Sequence, residues 1–265
     1  MTITPLGLQA ILIAVLGLCT GSFLNAYVYR LSNGIEDGML DGHSFCPHCK
    51  ATLRTIDLVP VASFLWLRGK CRYCARPISW RYPIVEVLCA LVFLIFSLTQ
   101  GGGDPILFGL GLGIVYILVV LGVYDAQTME VPLAPIGLGI VLALAALGYQ
   151  SWMMGDLSPF SLVLIPLILA LAFFGLQIGL SRGKWMGIGD LYVGIFLALI
   201  LSWQQFLLML MVGYVSGALI ALPMIIRKQR GRKLPLVPFL SFGAFVSICF
   251  GQAILTWYAG LLGLG

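Results

Sequence analysis

Residues 105–124 read PILFGLGLGIVYILVVLGVY, twenty positions without a charged side chain, and the next residue is Asp125. An α-helix rises about 1.5 Å per residue, so a run of this length crosses the roughly 30 Å hydrocarbon core of a bilayer. Similar apolar runs cover 6–29, 83–100, 132–150, 158–180, 190–202, 204–226 and 235–262, giving about eight spans. The run at 190–202 is short, and the last is interrupted near Pro235 and Pro238. Composition agrees: 60% of the 265 residues are hydrophobic, 9% are charged and the mean hydropathy is +1.05. These values exclude an ordinary soluble domain. Backbone polar groups in lipid must bond internally, and no alternating ten-residue strands are present, so the expected fold is an all-α polytopic membrane helix bundle. Gly17 and Gly21 form one small-xxx-small pair suited to close helix contact.

The fifteen Lys and Arg residues orient the bundle. With the N-terminus outside, Arg30, Lys50, Arg54, Arg68, Lys70, Arg72, Arg76 and Arg81 fall in the first inner segment. Arg182 and Lys184 fall in the next, and Arg227, Lys228, Arg230, Arg232 and Lys233 in the last. The outer loops hold only Asp104 and Asp156. Basic residues near span ends are retained on the cytoplasmic side. The expected arrangement is therefore a membrane crossed several times, with the N-terminus outside and the basic segments on the cytoplasmic side. The first run lacks a basic n-region and ends at Arg30, so it reads as a retained span and not a cleaved signal peptide. The basic run 227–233 reads as an anchor for topology and anionic lipid.

Three segments follow: a first transmembrane helix over 1–29, a cytoplasmic insert over 30–82, and a multi-span region over 83–265. The insert carries Cys46-Pro-His-Cys49 and Cys71-Arg-Tyr-Cys74, two C-x-x-C knuckles separated by 21 residues. Each knuckle can give two thiolates to a tetrahedral Zn²⁺, with a ribbon between them. Disulfides are disfavoured on a reducing cytosolic side, and no thioredoxin-like strand-helix context surrounds either knuckle. So small a piece cannot bury enough core alone, and structural zinc would supply much of its folding free energy. His48 is expected to be a bystander, and Cys19, Cys89 and Cys249 to be buried small hydrophobes.

Two acids stand at the same inner rim. Asp125 ends span three and Asp190 opens span six in Gly187-Ile-Gly-Asp190. Asp190 could be a helix N-cap, whereas a carboxylate at a helix C-terminus meets the negative end of the dipole, so Asp125 lacks that excuse. Two neighbouring carboxyls can share one proton, the ionised one activating water while the protonated one donates to a scissile carbonyl. The only histidines are His43 and His48, and no base for an acyl-enzyme nucleophile is evident. Gly187 and Gly189 would let an extended substrate approach Asp190 closely. Ser22, Asn25 and Tyr29 recur at helical spacing and suit interhelical hydrogen bonding or substrate contact. Glu86, about one turn into span two, is either a structural partner of Arg81 or an anion that recognises an amine.

Taken in order, these motifs resemble the type IV prepilin peptidases, bifunctional leader peptidases and N-methyltransferases of the membrane. The resemblance rests on Gly21-Ser-Phe-Leu-Asn25 with Arg30-Leu31, the paired Cys-x-x-Cys insert, Asp57-Leu-Val-Pro60 and Leu67-Arg-Gly-Lys-Cys71. It continues in Ile78-Ser-Trp-Arg-Tyr-Pro83 with Glu86, Asp125 with Val131-Pro132, and Met186-Gly-Ile-Gly-Asp190. The resemblance implies removal of a basic leader from prepilins or pseudopilins at the cytoplasmic face. Methylation of the new N-terminal amine by S-adenosylmethionine follows, with Asp125 and Asp190 at the positions of the family's catalytic aspartates. The implied partners are prepilin or pseudopilin substrates and the lipid bilayer, with no nucleic acid; no glycine-rich nucleotide fingerprint is present.

Three positions depart from the family pattern: Leu133 for an acid or amide, Tyr192 for a lysine, and Leu234-Pro-Leu-Val-Pro238 for Ile-Pro-Phe-Gly-Pro. None of the three is expected to touch the aspartates. Two rivals stand beside this reading: a presenilin-like intramembrane aspartic protease sharing Tyr124-Asp125 and Gly-x-Gly-Asp, and a non-enzymatic transporter or assembly factor.

Overall fold

A computed structural model describes residues 5–35, 43–226 and 234–263. The basic run 227–233 lies outside the described residues. Among them there is no β-strand, only two isolated antiparallel bridges in the insert. Seven helical segments are long and apolar enough to cross a membrane: Gly7–Ser32, Arg81–Gln100, Pro105–Thr128, Leu133–Met154, Ser158–Ser181, Trp203–Met224 and Val237–Leu261. The sixth apolar run forms only the short helix Ile188–Ile200.

The chain divides into two compact units, Met1–Leu98 and Thr99–Gly265. The first holds α1 (Pro5–Ser32), a 3₁₀ turn at Thr55–Leu58, α2 (Ala62–Trp66) and most of α3 (Arg81–Gln100). The sequence pair Gly17 and Gly21 is where α1 meets α3. A Cβ on Gly17 would lie 2.6 Å from Ala90 Cα, and one on Gly21 would lie 2.7 Å from Glu86 Cα. Only hydrogen side chains allow backbones this close. Asn25 extends the seam by donating from Nδ2 to the Tyr82 carbonyl at 3.0 Å.

The second unit holds α4 (Pro105–Thr128), α5 (Leu133–Met154), α6 (Ser158–Leu162), α7 (Leu164–Ser181), α8 (Ile188–Ile200), α9 (Trp203–Ile226) and α10 (Val237–Leu261). α10 packs on α9 and α4, α4 on α5, α5 on α8, and α8 on α7, while α7 returns to α9. The helices thus close a ring around Leu118, Leu121, Phe174, Phe196, Met209 and Leu240, all fully or nearly fully buried. Short α8 lies inward: Val193, Phe196, Leu197 and Ala198 have no exposed surface. Outer faces carry exposed Leu, Ile and Val, as lipid-facing helices require, and exposed Trp152, Trp185, Trp203 and Trp257 lie near helix ends, where interfacial aromatics collect. α4 begins with a regular cap, Asp104 Oδ1 accepting from the N–H groups of Ile106 and Leu107 at 2.8 and 3.0 Å.

Candidate active site and metal centre

Four chain segments of the second unit build one corner. Asp125 sits in the last turn of α4, buried, and its Oδ2 accepts the Val237 N–H at 3.0 Å. Val237 opens α10, so Asp125 satisfies a free donor at the positive end of another helix. The α4 terminus itself is closed by Met129 in the left-handed conformation, with its N–H on the Asp125 carbonyl at 2.8 Å. Asp125 thus has a capping role across the bundle. It also corrects the expectation that no departing stretch touches an aspartate, since Val237 belongs to Leu234–Pro238.

Asp190 stands at the third position of α8, and Gly187, not Asp190, is the N-cap. The Asp190 Oδ2 reaches back to accept the Gly187 N–H at 3.1 Å, and the Asp190 N–H donates to the Gly187 carbonyl at 3.2 Å. This carboxylate is half-buried, and Asp125 lies within its electrostatic reach. Tyr214 on α9 also feels the Asp190 charge, and its hydroxyl accepts from Gln177 Nε2 at 3.4 Å. A Cβ on Gly187 would meet only the Gly189 backbone N, at 3.9 Å, whereas one on Gly189 would meet Val131 Cβ at 2.9 Å. Val131-Pro132, the link from α4 to α5, therefore packs on the Gly-x-Gly-Asp turn and needs the glycine for that approach. Leu133 and Tyr192 are exposed.

In the first unit, the Sγ atoms of Cys46, Cys49, Cys71 and Cys74 all lie within 4.8 Å of one another. None forms a disulfide. The two knuckles repeat one geometry. Cys46 N–H donates to Ala51 O and Lys50 N–H to Cys46 O; correspondingly, Cys71 N–H donates to Arg76 O and Ala75 N–H to Cys71 O. Lys50 and Ala75 both take positive φ, 58° and 57°, and the bridges Phe45–Thr52 and Lys70–Pro77 frame the knuckles. Burial alone would raise the Cys46 thiol, but the N–H groups of Cys49 and His48 and the neighbouring thiols hold it at about 7. Cys74 gains from the Arg76 N–H, but burial and the three other sulfurs outweigh this and push it up to about 11. A tetrahedral metal with bonds of about 2.3 Å needs sulfurs roughly 3.8 Å apart, so this donor set fits a divalent ion such as zinc after slight contraction. His48 is no ligand here; its Nδ1 lies 3.4 Å from Arg76 Nη1.

The remaining candidates all sit where α1, the insert and α3 meet. Glu86 is buried and accepts the Val61 N–H on Oε2 at 2.7 Å, with Ser22 as a second partner. Of the two readings of Glu86, the pairing with Arg81 is not formed; among the described residues the ion pair is Arg72–Asp57, at 2.6 Å. Val61 has φ 59° and ψ −47°, the centre of a tight turn closed by Ala62 N–H on Pro60 O at 2.5 Å. For a β-branched residue that conformation is strained, and Glu86 holds it. Ser22, Asn25, Tyr29, Arg81, Tyr82 and Glu86 all line a cavity of about 490 Å³. Sequence reasoning singled out Ser22, Asn25 and Glu86 but missed Arg81 and Tyr82 as cavity residues, because only the fold brings them opposite α1.

Residues 15–100 match the model of the bacterial peptidase A24 N-terminal domain. The chain is 30% identical to a prepilin leader peptidase/N-methyltransferase of Burkholderia pseudomallei (strain K96243), over 93% of this chain and 87% of the relative. Proteins of the same description from Aeromonas hydrophila and Legionella pneumophila are each 28% identical, covering 93% and 94% of this chain and 92% and 94% of their own length. No solved structure matches. With two CxxC knuckles in the matching N-terminal domain and similarity along nearly its whole length, the chain belongs to the prepilin leader peptidase/N-methyltransferase family.

Proposed function

We propose that this protein removes the basic leader from type IV prepilins or pseudopilins and then N-methylates the new N-terminal residue. In this reading Asp125 and Asp190, both within 83–265, form the peptidase dyad. The observation that carries it is the convergence of the last turn of α4, the Val131 link and the Gly-x-Gly-Asp turn on one corner. One ionised carboxylate takes a proton from water, which attacks the scissile carbonyl, while the protonated partner donates to the carbonyl oxygen. The proton then passes to the leaving amine as the peptide bond breaks. Neighbouring carboxyls reach this one-proton state by sharing.

The four cysteines hold a structural Zn²⁺, and S-adenosylmethionine supplies the methyl group when bound. Orientation follows from the basic residues: N-terminus outside, dyad and insert towards the cytoplasm of a bacterial inner membrane. A prepilin has its basic leader on that side and an apolar helix after it, which places the scissile bond at the inner surface. The test is incubation of purified protein with a prepilin, with and without S-adenosylmethionine, reading product mass and N-terminus. A cut at the leader junction with an added methyl only in the presence of the donor is expected. An intact substrate, or a cut inside the apolar helix, would refute the reading.

A further inference from the structure

Within Met1–Leu98, an apolar patch lies outside the two membrane-length helices. α2 spans only Ala62–Trp66, and its side chains divide sharply. Phe64 is buried, with its ring 4.8 Å from that of Trp80, and a Cβ on Gly69 would meet Phe64 Cζ at 3.2 Å. Leu65 and Trp66 are 64% and 80% exposed, and Trp80, against Phe64, is 68% exposed. Large apolar side chains left this open together mark a surface that something covers.

Depth and charge identify the cover. Trp80 directly precedes α3, which opens at Arg81 and is long enough to cross a bilayer. Val61, the N-cap of α2, donates its N–H to Glu86 Oε2 at 2.7 Å. Glu86 follows Arg81 by five residues, about 7.5 Å further along the helix axis. The polar layer on each side of the hydrocarbon core is itself only about 5–8 Å thick, so the start of α2 is held at the level of that layer and not out in the water. Tryptophan collects there, with its apolar ring towards the acyl chains. Beyond Trp66 the chain turns through Arg68 and Gly69, at φ 52° and 68°, and presents exposed Arg68 and Lys70. Apolar side chains followed by cations suit an anionic lipid surface. A basic leader would be repelled here, and a second copy of this chain would bring the same cations against each other.

We propose that α2 is an in-plane membrane anchor. Leu65, Trp66 and Trp80 enter the interfacial layer of the leaflet at which α3 begins, and Arg68 and Lys70 bind the headgroups of anionic phospholipids. The cysteine-bearing insert is thereby seated on the bilayer, which forms one of its walls, and the Val61–Glu86 bond sets how deep it sits. Neither Asp125 nor Asp190 takes part, so the anchor stands or falls separately from the peptidase reading.

Two measurements test this on the full chain, in nanodiscs of phosphatidylcholine alone or mixed with phosphatidylglycerol. A benzophenone amino acid in place of Trp66, whose exposed ring can be exchanged without disturbing buried Phe64, should cross-link on illumination to phospholipid, read by mass, and should do so equally when a prepilin is added. An adduct to the prepilin or to a second copy in place of lipid, or no lipid adduct at all, would overturn the anchor. Hydrogen exchange, which needs no variant to fold, reads the cations. Wild-type peptides within 61–70 should exchange at least about threefold more slowly when phosphatidylglycerol is present, and Arg68→Gln with Lys70→Gln should abolish that difference while exchange in 99–265 is unchanged. Wild-type exchange that is the same in both lipids, or a double variant that keeps the full lipid response, would overturn the headgroup contact.

Discussion

Asp125 joins a capping bond seen in the structure to a proposed catalytic role, and substitutions can separate the two. Its Oδ2 caps α10 through the Val237 N–H, while the proposed chemistry needs an ionisable oxygen. Asp125→Asn keeps a carbonyl oxygen for the cap and should lower cleavage by about 10²–10⁴-fold without altering thermal unfolding. Asp125→Ala should lose cleavage and also about 1–2 kcal/mol of stability, read from the same unfolding curves. Gly189→Ala places a Cβ against Val131 Cβ at 2.9 Å, and should cost about 1–3 kcal/mol with reduced cleavage. Adding Val131→Ala should recover most of the stability. The acids themselves were legible in the sequence because a carboxylate at a span end is costly. Their partners were not: Val237 lies 112 residues from Asp125, and Glu86 meets Val61 across 25 residues where the near neighbour Arg81 drew attention. The departure at Val237 leaves a backbone N–H in place, so the bond to Asp125 survives the change of side chain.

Among the elements, the insert depends most on something outside its own chain. Among the described residues its regular structure amounts to a 3₁₀ turn, the five-residue α2 and two bridges, too little to bury a core. Asp57 adds a local clamp: burial opposes its ionisation, but Arg72, the Arg54 N–H and Tyr73 hold its carboxyl below the usual range. Chelation should therefore open residues 43–82 to protease while 99–265 stays protected; equal protection before and after chelation would remove the metal from the account. Protons compete with a metal for thiolates, so lowering the pH from about 8 to 5 should release it, measured by metal content after dialysis. The CxxC spacing made this element readable, since two identical knuckles leave few other uses for four thiols. The short α8 was readable only in length. Its inward place comes from packing against α5 and α7, which hydropathy does not encode.

For the whole molecule, the proposed orientation rests on the distribution of Lys and Arg, since helix packing alone does not fix a direction. Single cysteines placed at Asp104 and Asp156 should label with a membrane-impermeant reagent from outside, and one at Lys184 only after permeabilisation; labelling of all three from one side would reverse or break the topology. The number of apolar runs was legible because each span must satisfy its backbone internally. The ring of six helices was not, because which lipid-length helix neighbours which depends on glycine and side-chain fit along pairs distant in sequence. The central claim is that two acids on different helices of this ring cut the leader. The most direct test compares wild type with Asp190→Asn, which retains an oxygen for Gly187 N–H, on a prepilin substrate in matched nanodiscs. The account predicts leader cleavage by the wild type and none by a variant of unchanged fold; cleavage by Asp190→Asn at the wild-type rate would contradict it.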